Sequence, residues 1–293
     1  MDIDVNLLKE LRERTGAGIM DCKKALDQSG SDIEKAAEWL REKGMAKAVK
    51  KASRISAEGV FNVVVTENKA YVYEINCETD FVSSNAKFKE FVAKVGEVIA
   101  ASDVADTESA LLSKNSDGET VKEMLLSFIA VIGENIILRN VYKVEKKPEE
   151  VFGIYKHNGG KIAVVDVIEG GNETVAKNLA MHICAQNPQY LDRSAVDAEY
   201  LAKETEILKK EALESNPGKP ENIIERMVEG RLNKELKEVC LMDQPLVMDP
   251  NVTVSQYLKD NKAKVVCYSR SLAGEGVEKK ACNFVEEVQA QLK

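Results

Sequence analysis

Two histidines, six cysteines and a surplus of carboxylates are the groups in this 293-residue chain from which catalysis or metal binding could be built. Their spacing argues against both. His157 precedes the turn sequence Asn158-Gly159-Gly160 and reads as a solvated loop residue. His182 falls on the apolar face of a helix and reads as a partly buried histidine with a backbone partner. Cys22, Cys77, Cys184, Cys240, Cys267 and Cys282 are scattered, with no C-x-x-C pair and no clustered histidine. A zinc site needs ligands that converge, so no metal is expected, and the cysteines read as reduced thiols. No G-x-S-x-G elbow is present. The nearest approach to a phosphate loop is Gly153…Gly160-Lys161-Ile162. It places six residues before the Gly-Lys pair where four are required, and Ile162 where a hydroxyl must hold magnesium. The expectation is a protein without catalytic residues, metal or cofactor of its own.

One segment is unusual for another reason. Asn76-Cys77-Glu78-Thr79-Asp80-Phe81-Val82-Ser83-Ser84-Asn85 places Phe81 and Val82 between a strand and a helix start. Full burial of a phenylalanine is worth about 1.5–3 kcal/mol, so Phe81 needs an apolar destination. Two readings stand. Phe81 folds back on the following helix as a hydrophobic staple, with Asp80 complementing the positive helix end. Alternatively, the segment is an acidic and aromatic probe that buries in a partner.

The elements that must position this segment follow from periodicity. Residues 1–45 read as three short helices, broken at Thr15-Gly16-Ala17-Gly18 and Ser29-Gly30 and ending at Gly44. Ser31-Asp32-Ile33-Glu34 has the form of a capping box for the third. A basic linker with Lys47, Lys50, Lys51 and Arg54 follows and reads as a solvated helix. Val60–Val65 and Tyr71–Ile75 are then β-branched and aromatic runs that read as strands flanking a turn at Glu67-Asn68-Lys69. A helix through Phe88, Phe91, Val92 and Val95 comes next, then a helix at 121–132 and a strand at 136–144. The pattern repeats. Val151–Tyr155 corresponds to Val60–Val64, Ile162–Val167 to Ala70–Ile75, and a helix with Val175, Leu179, His182 and Ile183 follows. In the second copy the unusual segment is replaced by Ile168-Glu169-Gly170-Gly171-Asn172.

The fold class is therefore α+β: a three-helix module, then two related subdomains with antiparallel sheets. The expected bounds are 1–55 for the module with its linker, 56–145 for the first subdomain and 146–293 for the second. An inserted helical hairpin is expected at 196–240 and a C-terminal helix at 277–292. The hairpin seam pairs Leu201, Leu208 and Ala212 with Ile224, Met227, Val228, Leu232 and Val239. It suits either self-association or a helix pair lying on the body.

With 41 basic and 49 acidic residues the net charge is −8. That opposes polyphosphate binding, so the expected partner is a protein and not a nucleic acid. No apolar run approaches a membrane span, and Met1-Asp2-Ile3-Asp4 lacks the layout of a secretory signal, so the expected location is the cytoplasm.

Two stretches carry a family resemblance. Leu11-Arg12-Glu13-Arg14-Thr15-Gly16-Ala17-Gly18-Ile19-Met20-Asp21-Cys22-Lys23-Lys24-Ala25-Leu26 resembles the N-terminal signature of bacterial translation elongation factor Ts. Glu74-Ile75-Asn76-Cys77-Glu78-Thr79-Asp80-Phe81-Val82 resembles the second signature of that family. The likeness extends through Ile132-Gly133-Glu134-Asn135, Ala180-Met181-His182 and Gly218-Lys219-Pro220, although Ser84 stands where the family usually has a basic residue. The resemblance implies a ubiquitin-associated-like N-terminal module, a dimerising hairpin, and guanine nucleotide exchange on the GTPase elongation factor Tu. It implies that Thr79, Asp80, Phe81 and Val82 enter beside the partner's magnesium site and dislodge the ion. Arg12, Ile19, Met20, Ile132, Gly133 and His182 would make further partner contacts. The rival reading is a ribosome- or nascent-chain-associated adaptor with no effect on nucleotide.

Overall fold

The computed structural model describes residues 4–277, apart from the side chains at positions 45 and 47–49. Beyond its first residue, the helix expected at 277–292 lies outside the described residues, as does Cys282.

Three helices open the chain: α1 (Val5–Thr15), α2 (Ile19–Ser29) and α3 (Ile33–Lys51). They share a small core of Leu11, Cys22, Ala25, Leu26 and Ala36, flanked by Leu7, Leu8, Trp39 and Leu40. Two expectations are corrected here. Ser31 does not cap α3. Its φ of 69° and the bond from its N–H to the Leu26 carbonyl make it part of the turn that closes α2. Asp32 takes the cap instead, accepting from the Lys35 N–H at 3.1 Å, and Glu34 pairs with Arg14 at 2.8 Å. Nor does α3 stop at Gly44, since it continues to Lys51. Gly44 is buried, and a Cβ there would lie 2.6 Å from the Cβ of Ala130. The glycine permits two helices to approach, and it does not end one.

Next come β1 (Glu58–Thr66), β2 (Lys69–Cys77), α4 (Asp80–Ser84), α5 (Ala86–Ser102), α6 (Thr107–Leu112), α7 (Val121–Ile132) and β3 (Ile137–Glu145). The strands form an antiparallel sheet in the order β1-β2-β3, with Val60 opposite Ile75 and Val64 opposite Tyr71. Central β2 is buried from Ala70 to Cys77. Phe88, Phe91, Val92, Val95 and Ile99 of α5 join Tyr71, Tyr73 and Ile75 in the core, with Met124, Leu125 and Ile129 of α7. Gly96 leaves room for the Tyr73 hydroxyl, which donates to the Val92 carbonyl at 2.7 Å. A capping box does occur, at Thr120 and Glu123 of α7.

The second half holds β4 (Glu150–His157), β5 (Ile162–Gly170), α8 (Glu173–Gln186), α9 (Ala198–Ser215) and α10 (Glu221–Val239). It closes with β6 (Pro245–Leu246), β7 (Asp249–Thr253), α11 (Val254–Asp260) and β8 (Ala263–Leu272). Its larger sheet has the order β4-β5-β8. In both sheets the second strand is central and runs on toward a helix, as the internal repeat requires. The described residues form two compact units: 4–145 with 156–162 and 271–277, and 146–155 with 163–270.

Candidate partner-binding site

Strand β2 delivers the chain to Thr79, and the five-residue helix α4 begins there. Thr79 is its N-cap, and its Oγ1 accepts from the Val82 N–H at 3.4 Å. Asp80 occupies the first turn, where a carboxylate suits the exposed N–H groups. The two apolar residues diverge. Val82 packs against the core of the first unit, whereas Phe81 is 83% exposed. The staple reading of Phe81 is therefore not what the fold adopts.

A one-turn helix has too few internal bonds to hold itself, and its supports come from outside. The Glu134 carboxylate accepts from the N–H groups of Glu78 and Thr79 at 3.0 Å each and from the Thr79 hydroxyl at 2.6 Å. Reciprocally, the Glu78 carboxylate accepts from the Asn135 N–H at 2.7 Å. The Asn135 side chain donates to the Arg54 carbonyl at 2.8 Å, and Ser56 donates to the Asn135 carbonyl at 2.9 Å. Cys77 donates its Sγ–H to the Thr79 carbonyl at 3.1 Å. Burial pushes that thiol up to about 12, so it stays a donor and is a poor nucleophile.

Ile132 and Gly133 lie directly before this clamp. Ile132 packs on the core, and Gly133, at φ 86°, ends α7 and accepts a bond from the Lys51 ammonium. Among the N-terminal residues, Arg12 is exposed, as are Ile19 at 50% and Met20 at 65%. The last two open α2 beyond Gly18, on the side away from the Leu11–Leu26 core. His182 is placed differently. It belongs to the second unit and is fully buried. Its Nδ1 accepts from the Val247 N–H at 3.2 Å, so Nε2 carries the proton and donates to Gln244 Oε1 at 2.9 Å. Gln244 in turn donates to the Glu238 carbonyl, which sets its amide orientation. Burial lowers the pKa of His182, in keeping with a neutral ring. What the ring holds in place is the turn bearing Val247 and Met248, both partly exposed apolar residues.

Comparison with known proteins gives matches along nearly the whole chain. The family model described as "Elongation factor TS" matches residues 78–275, and that described as "Elongation factor Ts, mitochondrial, N-terminal" matches residues 1–48. A protein named elongation factor Ts from Acholeplasma laidlawii is 48% identical over 294 aligned positions, covering 100% of this chain and 99% of its own. Another from Lacticaseibacillus casei is 50% identical over 286, covering 98% and 97%. The chain belongs to the elongation factor Ts family. It is thus a member of a family of translation elongation factors.

Glu134 is the residue whose part in this elongation factor Ts chain the sequence did not reveal. A local signal existed. Glu134 stands just past the C-terminal end of α7, where a carboxylate is unfavourable beside the helix dipole, and so needs donors elsewhere. A cavity of about 700 Å³ beside α5 and α7 offers no histidine or cysteine among its lining residues.

Proposed function

We propose that this elongation factor Ts family member is a guanine nucleotide exchange factor for elongation factor Tu, working in the cytoplasm by binding alone. The observation that carries the reading is Phe81, 83% exposed at the start of a capped and clamped helical turn. An exposed phenylalanine on a rigid support gains about 1.5–3 kcal/mol when a partner buries it. If only the nucleotide-free GTPase accepts the ring, that gain is a differential affinity, and nucleotide and exchange factor weaken each other reciprocally. Tight GDP binding by such GTPases depends on magnesium held by a hydroxyl, an acid and waters. In this reading Thr79 and Asp80 set the segment beside that site, Val82 anchors it, and Phe81 wedges the partner apart. Ile19, Met20 and Arg12 form a second contact, with Ile132 and Gly133 beside the first. His182 acts through the Val247-Met248 turn that it holds. Self-association through the 196–240 hairpin belongs to the same proposal. No helix of the described residues is long and apolar enough to cross a membrane, which agrees with this picture.

The test is release of fluorescent GDP from elongation factor Tu. The intact chain is expected to accelerate release strongly, and Phe81→Ala to reduce the maximal rate at least tenfold while leaving the melting curve unchanged. Absence of acceleration by the intact chain would instead favour an adaptor role.

A further inference from the structure

We propose that Glu134 is a positioning residue: it keeps the Thr79–Ser84 segment preformed in free protein, so that binding does not have to order it. The kinetic part of this inference rests on the exchange reading. The structural part does not.

Three donors converge on one carboxylate, two backbone N–H groups and one hydroxyl, all from Glu78 and Thr79. Those are the residues from which α4 starts, so Glu134 completes the N-terminal capping that Thr79 begins. The internal repeat supplies a comparison within the chain. In the second copy a single residue, Gly171, separates the end of β5 from the cap of α8, where Asn172 accepts from the Thr174 and Val175 N–H groups. In the first copy Asn85 caps α5 in the same way, but residues 78–84 intervene after β2. The exposed turn is thus an insertion into a connection that otherwise needs none. Five helical residues carry a high nucleation cost and little internal bonding. External hydrogen bonds to a charged group are what hold them, and such bonds are stronger than neutral ones.

A segment ordered in only a fraction of molecules weakens apparent affinity by that fraction, without changing what the bound state does. Glu134→Ala is therefore expected to raise the concentration giving half-maximal GDP release roughly tenfold, at an unchanged maximal rate. Phe81→Ala acts on the maximal rate instead. Glu134→Gln should recover most of the loss, because its carbonyl oxygen can accept from both amides while its NH₂ donates to Thr79. Amide hydrogen exchange gives an independent readout. The N–H groups of Glu78 and Thr79 should exchange at least tenfold faster in Glu134→Ala, with Tyr71–Ile75 unchanged.

A fall in maximal rate at constant half-saturation would overturn the proposal. Unaltered protection at Glu78 and Thr79 would do the same. If the intact protein fails to release GDP, the exchange reading falls, and the amide measurement still decides whether Glu134 orders the segment.

Discussion

Asp166 is the least compensated residue of the described chain. It lies fully buried on β5, and neither carboxylate oxygen has a hydrogen-bond partner. Gly153 on β4 has no side chain there because a Cβ would collide with both oxygens and with the Ala176 carbonyl. That explains a glycine which in the sequence suggested only a failed phosphate loop. Burial raises the Asp166 pKa well above the usual carboxylate range. The folded state therefore keeps its proton to higher pH than the unfolded chain does. The associated stability is complete below the ordinary carboxylate pKa and is lost as pH rises through the folded value, at about 1.4 kcal/mol per pH unit. His182 contributes with the opposite slope, since its lowered pKa removes stability as pH falls below the ordinary histidine value. Comparing parent with Asp166→Asn isolates the first effect. The variant is expected to be about 1–2 kcal/mol more stable than the parent at pH 8, with the gain shrinking at pH 5. Urea unfolding at the two pH values measures it, and an equal difference at both would mean that Asp166 does not titrate between them.

At the level of elements, the decisive contact is between α3 and α7. Placing a methyl group at Gly44 adds about 1 kcal/mol of helix propensity but drives a Cβ to 2.6 Å from Ala130. Overpacking of this kind costs about 1–3 kcal/mol, so the clash should win. Gly44→Ala is expected to lower stability by about 1 kcal/mol in chemical denaturation. Stabilisation would show that the two helices do not meet there. The same contact explains why the chain alone suggests an earlier end for α3. A glycine after a helical run signals a stop when only the chain is visible, and a close approach when the neighbour is visible. Ser31 departs from its sequence expectation for a related reason. A serine three residues before a glutamate fits a capping box, but closing α2 forces Ser31 to a positive φ and passes the cap to Asp32. Strands β1 to β5 and the remaining long helices were legible because runs of β-branched and aromatic residues and 3.6-residue apolar periods show in neighbours along the chain.

For the molecule as a whole, the hairpin of α9 and α10 is the element that bears on assembly. Its seam is closed internally by Leu208, Ala212, Ile224 and Val228, with Leu232 beside them. Ile207, Leu213 and Ile223 remain exposed, at 39%, 50% and 42%. A second copy covering them would bury apolar area that the hairpin alone leaves wet. Sedimentation of the full chain is expected to show a dimer that the double change Leu213→Glu and Ile223→Glu converts to monomer. A monomeric parent at tens of micromolar would remove the dimer from the proposal.

Sequence alone determined the α+β class, the internal repeat, and the family, because periodicity and contiguous signatures are properties of neighbours along the chain. It also singled out Thr79–Val82, since an aromatic residue in a polar connection is conspicuous by type. Whether Phe81 turned inward or outward was decided only by tertiary structure. Both readings satisfied the local chain, and the answer depended on Glu134, Asn135 and Arg54 closing around Glu78 and Thr79 from distant positions. His182 followed the same logic. Its helical face predicted burial, but its tautomer and its hold on the Val247 turn came from Gln244 and Val247, more than sixty residues away.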